Sequence, residues 1–149
     1  MVTAGVDVLV ETDLDPSIRV DELERLVPFV LEHAGAGGEW TVAVVLTDDA
    51  RLRALHHRFM GLDSETDVMT FPSGDRETDA PGGDIVVSVE RAAQQAVEYD
   101  HSVADEVSFL VVHGLLHLCG WNDHTADARA RMWEEQRRLL EAFLGPSDC

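Results

Sequence analysis

Lysine is absent from this 149-residue sequence, and all 11 basic side chains are arginines. They stand against 29 acidic side chains, for a net charge of −18. Such a surface repels polyphosphate at long range, which argues against a generic, non-specific nucleic-acid binder. The composition is that of either a high-salt cytoplasm or a genome rich in G and C. Cysteine occurs twice, at Cys119 and Cys149, with no local spacing pattern. That argues against a disulfide scaffold and points to a reducing compartment. No apolar run approaches the ~18 residues needed to span a bilayer. The opening stretch, MVTAGVDVLVETDLDP, lacks the basic segment and long apolar core of a signal peptide. The expectation is a cytoplasmic protein with no membrane partner. Internal repeats and low-complexity segments are also absent. A chain of this length buries about 70% of its unfolded surface, enough for one domain over residues 1–149.

Alternating and periodic apolar residues place the elements. Strands are expected over 6–12, 40–46, 67–71 and 84–89. A helix opening at Asp15-Pro16 carries Leu23, Leu26, Val27, Val30 and Leu31 on one face. A second, capped by Thr47-Asp48-Asp49, runs to about Met60 and stops at Gly61. RAAQQAVEY reads as a third, and Ser102 with Asp105 as the start of a fourth that ends at Gly120. The last, about 126–144, carries Met132, Trp133, Gln136, Leu140 and Phe143 on one side. Residues 73–83, SGDRETDAPGG, read as an exposed loop. About four strands and five helices alternate irregularly, an α+β or mixed α/β arrangement of one sheet with helices packed on it.

HGLLHLCGWNDH, residues 113–124, holds three of the seven histidines. On a helix, His113 and His117 project side by side, one turn apart. So placed, they can bind one Zn²⁺ at ~2.0–2.1 Å each. His124, beyond a glycine turn, can supply a third nitrogen. Three protein ligands with an open position describe a catalytic zinc site. Two isolated core histidines would instead each need a buried polar partner. Cys119 lies about 200° round the helix from His117 and is not expected as a ligand. Gly114 stands where an HExxH peptidase carries its glutamate base, which disfavours a peptidase and leaves room for substrate close to the backbone.

These residues resemble the signature HGxLHLxGYDH of the bacterial YbeY family, the rRNA maturation endoribonucleases. LHHRFMGLDSETDVMTFP (55–72) is similar to that family's helix end and TDVLSF-like strand, and GGDIVVS (82–88) to its LGDIxIS strand. The resemblance covers most of residues 45–125. It implies an α+β fold with a single mixed four-stranded sheet and about five helices, metalloprotease-like. It also implies one zinc ion held by His113, His117 and His124, with Arg58 as the functionally required arginine. The implied activity is metal-dependent, single-strand-preferring endoribonucleolysis in rRNA maturation and ribosome quality control. The implied partners are rRNA or pre-rRNA and small-subunit ribosomal proteins or assembly factors. One spacing departs from the family. His124 lies eleven residues after His113, not ten, so strict register puts Asp123 at the ligand position. His124 is favoured because a turn can absorb one residue.

Arg51, Arg53 and Arg58 have no acidic neighbour from 50 to 62, a positive island suited either to RNA contact or to solvent. For Arg58 the resemblance favours stabilising charge on the transition state. Of His56 and His57, which point about 100° apart, at most one faces a cleft. Asp67 and Asp84 either orient a functional side chain or bond nearby backbone. His33 and His101 read as surface residues. Trp40, Tyr99 and Trp133 read as packing, with no stacking platform for bases. Two competing functions are a non-catalytic zinc-containing assembly factor and a divergent metallohydrolase of another substrate.

Overall fold

The computed structural model describes residues 2–60, 67–73 and 81–145. Four strands and five helices follow in the order β1 (Val2–Val10), α1 (Val20–His33), β2 (Gly38–Thr47), α2 (Asp49–Met60), β3 (Val68–Pro72), β4 (Gly82–Ser88), α3 (Val89–Glu98), α4 (Val103–Leu118) and α5 (Ala126–Leu144). The strands form one mixed four-stranded sheet, as expected, in the order β1-β2-β4-β3. β1, β2 and β4 run parallel, and β3 is antiparallel to β4 at the edge. Several boundaries differ from the sequence reading, two of them by four residues or more. β1 begins at Val2 because its register with β2 runs from Val2↔Gly38 to Val10↔Leu46. α1 begins at Val20 because the Asp15 carboxylate accepts from Ser17 N–H, closing a separate turn first. Gly61, residues 74–80, Pro146 and Cys149 lie outside the described residues.

Strand alternation gives the sheet two different faces. Val44 and Leu46 of β2 and their partners Ile85 and Val87 of β4 are fully buried on one side. There they join the apolar stripe of α1 and the body of α4 in one core. α4 is apolar nearly all round: Val107, Leu110, Val111, Val112, Leu115 and Leu116 are all buried. A helix of that kind sits at the centre of the packing. It touches α1, α3, α5, β3 and β4. On the other side, Val45, Phe71, Asp84 and Val86 line a groove with Arg51, Leu55 and Phe59 of α2. The Phe59 and Phe71 rings meet edge to face at 5.2 Å. α2 and α4 therefore lie on opposite faces of the sheet.

The approach of α4 to the sheet explains Gly114. A Cβ there would lie 2.7 Å from Ile85 Cγ2 and 3.0 Å from Thr70 Cγ2. Position 114 is taken up by strands β3 and β4, so the closeness it permits is helix to sheet. The expectation that substrate approaches the backbone there is corrected.

Candidate metal centre

α4 starts on Ser102, whose hydroxyl accepts from Asp105 N–H at 3.0 Å. It ends in a Schellman turn: Gly120 N–H bonds to His117 O at 3.0 Å and Trp121 N–H to Leu116 O at 2.9 Å. Gly120, at φ 99°, supplies the left-handed residue this turn needs. The chain then doubles back over the last turn of α4, which carries His117.

Each of the two histidines is held through its Nδ1. His113 Nδ1 bonds to Gln136 Oε1, and His117 Nδ1 to the carbonyl oxygen of Trp121, both at 3.0 Å. Both acceptors are carbonyls. Gln136 shows its oxygen to His113 because its amide nitrogen donates to Phe109 O at 3.3 Å. Each Nδ1 is therefore the protonated nitrogen, and each Nε2 carries a lone pair. Those two Nε2 atoms face each other at 3.0 Å. Two lone pairs so close repel unless a cation stands between them. A tetrahedral zinc site would put such nitrogens ~3.3–3.4 Å apart, so the spacing fits a shared ion.

The third group in reach is a carboxylate. Asp123 Oδ2 lies 3.6 Å from His117 Nε2 and 3.9 Å from His113 Nε2. Among the described residues, His113, His117 and Asp123 form the group whose ligand atoms could hold a metal ion. The structure does not bring the His124 ring into that group. His124 is exposed, its N–H bonds to Asn122 Oδ1 at 3.2 Å, and its charge bears on His117 from nearby. That Asn122 turn places Asp123, ten residues after His113, at the centre. Burial pulls the His117 pKa down, the adjacent His113 adds to this, and Asp123 partly opposes it. The imidazole is thereby kept in the neutral form that ligates metal.

The centre opens on a cavity of about 230 Å³ whose lining includes His113, Asp123, Asp67, Glu106, Arg129, Trp133 and Gln136. Sequence reasoning missed several of these. Gln136 is 3% exposed in the buried stripe of α5 and reads as packing. Its signal is an amide among Met132, Leu139 and Leu140. Glu106, 2% exposed, lies two turns before His113 on α4, and its Oε1 is 2.6 Å from His101 Nε2. His101 is thus half-buried, not a free surface residue. Burial pushes the Glu106 pKa up, against the effect of His101. Trp133 and Tyr99 are 47% and 62% exposed and both line the cavity, so the reading of these two rings as packing is corrected.

The arginines singled out in the sequence stand elsewhere. Arg58 is exposed near the end of α2, its guanidinium 5.4 Å from the Phe59 ring, on the opposite sheet face from His113 and His117. β3, the edge strand, contacts both α2 and α4. Arg51 lines the α2 groove together with Glu11 and Asp84, two acids distant from it in sequence. Asp84 is on that face as well. Asp67 Oδ2 accepts from Gln95 Nε2 at 3.1 Å inside the metal-side cavity. The arginine lining this cavity is Arg129, whose Nη1 donates to Asp123 O at 3.3 Å. Cys119 takes no part in the group.

Gln136→Leu should lower metal affinity about 10–100-fold, because the Nδ1 bond that aims His113 is lost. Competition with a chromophoric chelator measures this. Unchanged affinity would show that Gln136 does not orient the ligand.

Comparison with known proteins places the chain. A family model described as Endoribonuclease YbeY matches residues 11–144. A protein of that name from Carboxydothermus hydrogenoformans is 37% identical over 139 residues, covering 90% of this chain and 95% of its own. Another from Bacillus subtilis is 32% identical over 148 residues, covering 93% and 94%. The solution structure of a Thermotoga maritima protein superposes with a TM-score of 0.63 at 26% identity, covering 96% of this chain and 97% of that one.

Proposed function

The chain belongs to the Endoribonuclease YbeY family, and from that premise we propose a zinc-dependent endoribonuclease of rRNA maturation, holding one ion per chain. It is a hydrolytic nuclease, and its substrate is RNA. The observation that carries the metal reading is the pair of facing Nε2 lone pairs, each fixed by an Nδ1–H bond. An ion bound there supplies Lewis acidity toward the scissile phosphate. His113 and His117 hold it, while Gln136 and the Trp121 carbonyl keep both rings in the ligating tautomer. Gly114 provides no general base and faces the sheet, which sets this site apart from an HExxH peptidase.

Asp123 is proposed as the third ligand, with His124 the competing choice. Asp123→Ala should weaken zinc binding by at least about tenfold, and His124→Ala by no more than about threefold, the scale of losing a ligand against losing a bystander. The reverse order would assign the ligand to His124.

Arg58 is proposed to stabilise charge on the phosphate by reaching past the edge strand β3. Arg51 and Arg53 are proposed to contact RNA on the α2 side. The test is cleavage of a structured rRNA precursor, with and without chelator. Arg58→Ala should lower kcat on the order of 10²–10³ with zinc content unchanged. Unchanged kcat in Arg58→Ala, with loss in Arg129→Ala, would move the role to Arg129. Chelator-resistant cleavage would overturn the metal mechanism.

The net charge of −18 opposes unaided RNA capture, so delivery by a small-subunit ribosomal protein or assembly factor is part of the proposal. Among the described residues no helix is long and apolar enough to cross a membrane. A cytoplasmic location is proposed with the ribosomal role.

A further inference from the structure

The cavity beside the metal centre extends from His113 and Asp123 to two carboxylates that the metal does not use. Glu106 gives one oxygen to His101, and Asp67 gives one to Gln95. The second oxygen of each has no hydrogen-bond partner among the described residues. The two acids are close enough that Asp67 helps raise the Glu106 pKa. At 2% exposure the Glu106 carboxylate is paired through one oxygen with His101, which leaves its other oxygen for a ligand. Tyr99, Phe109 and Trp133 form an aromatic wall, with the last two rings 6.0 Å apart. At about 230 Å³ the space equals roughly eight water volumes, room enough for one heterocyclic base.

A base entering here meets two acceptors and an aromatic surface, the setting in which single-stranded RNA bases are read on their Watson–Crick edge. Two carboxylate acceptors call for adjacent donors. Guanine offers N1–H and the N2 amino group side by side. Uracil offers one N–H flanked by two carbonyls, which the carboxylates would repel. We propose that this cavity is a guanine-binding pocket that seats the nucleotide next to the scissile phosphate, with Glu106 and Asp67 as its specificity residues. The proposal rests on the nuclease reading for its place in the reaction, though not for the binding itself.

Mononucleotides test it, because they contain no internal phosphodiester to cleave. Titration of the zinc-loaded protein with 5′-GMP and 5′-UMP should show GMP bound about tenfold or more tightly, the scale of one well-formed bidentate contact. Glu106→Gln and Asp67→Asn should each bring the two affinities within about threefold by weakening GMP alone. Trp133→Ala, at an exposed position, should weaken both nucleotides alike. Equal affinities in the wild type, or a guanine preference that survives both carboxylate substitutions, would overturn the pocket. If RNA is cleaved but GMP is not preferred, the pocket fails and the nuclease reading stands. If GMP is preferred but no RNA is cleaved, the pocket stands and the nuclease reading fails.

Discussion

His113→Ala and His117→Ala should each abolish stoichiometric zinc binding and reduce RNA cleavage to background. The two Nε2 atoms are the pair that faces across 3.0 Å, and neither has a substitute on α4. With one histidine gone, the remaining imidazole and Asp123, at 3.6 Å and 3.9 Å from the two Nε2 atoms, make two ligands, short of the three that a catalytic zinc site uses. Binding to the folded state stabilises it by RT ln(1 + [L]/Kd), about 4 kcal/mol at a thousandfold excess over Kd. The wild type should therefore melt higher with zinc, and neither variant should respond to it. Metal analysis of purified protein, with melting curves at several zinc concentrations, reads both effects. Full zinc stoichiometry in either variant would remove the pair as the metal centre.

Gly114→Glu should prevent folding, and Gly114→Ala should destabilise without affecting zinc affinity in the folded fraction. The alanine Cβ would stand 2.7 Å from Ile85 Cγ2 and 3.0 Å from Ile85 Cγ1 and Thr70 Cγ2. Ile85 is fully buried and has little room to shift. Overpacking of this kind costs about 1–3 kcal/mol, or roughly 2–12 °C in Tm for a chain of this size. Glutamate adds a charge with no partner in the core. Thermal melting of the alanine variant and the solubility of the glutamate variant check this. A Gly114→Glu protein that folds normally would mean that position 114 faces the cleft, not the sheet.

The elements were legible because each carried its own period and punctuation. Leu23, Leu26, Val27, Val30 and Leu31 marked the buried face of α1, and Ser102 marked the start of α4. The His113–His117 pair was legible because spacing on a helix fixes which side chains are neighbours. The rest depended on contacts between distant segments. Gln136 becomes functional only when α5 lies against α4, which no period in the sequence announces. The placement of Asp123 ahead of His124 depends on a turn in which Asn122 bonds the His124 N–H. The acids beside Arg51 were not legible, because Glu11 and Asp84 come alongside it only once the strands pack against α2. Trp133 reads as packing because it lies on the same side of α5 as Met132 and Gln136. Only the packed structure leaves its ring at the cavity.

The geometry holds His113 and His117 both as Nδ1–H tautomers, with their facing Nε2 lone pairs placed to share one ion. Nitrogen-15 NMR of the histidine rings tests it most directly, comparing metal-free and zinc-loaded protein. With zinc, both rings should show a protonated Nδ1 and an unprotonated Nε2 shifted by the metal, and Gln136→Leu should alter the Nδ1 signal of His113 alone. Protonated Nε2 signals on either ring in the zinc-loaded protein, or ring signals indifferent to zinc, would contradict it.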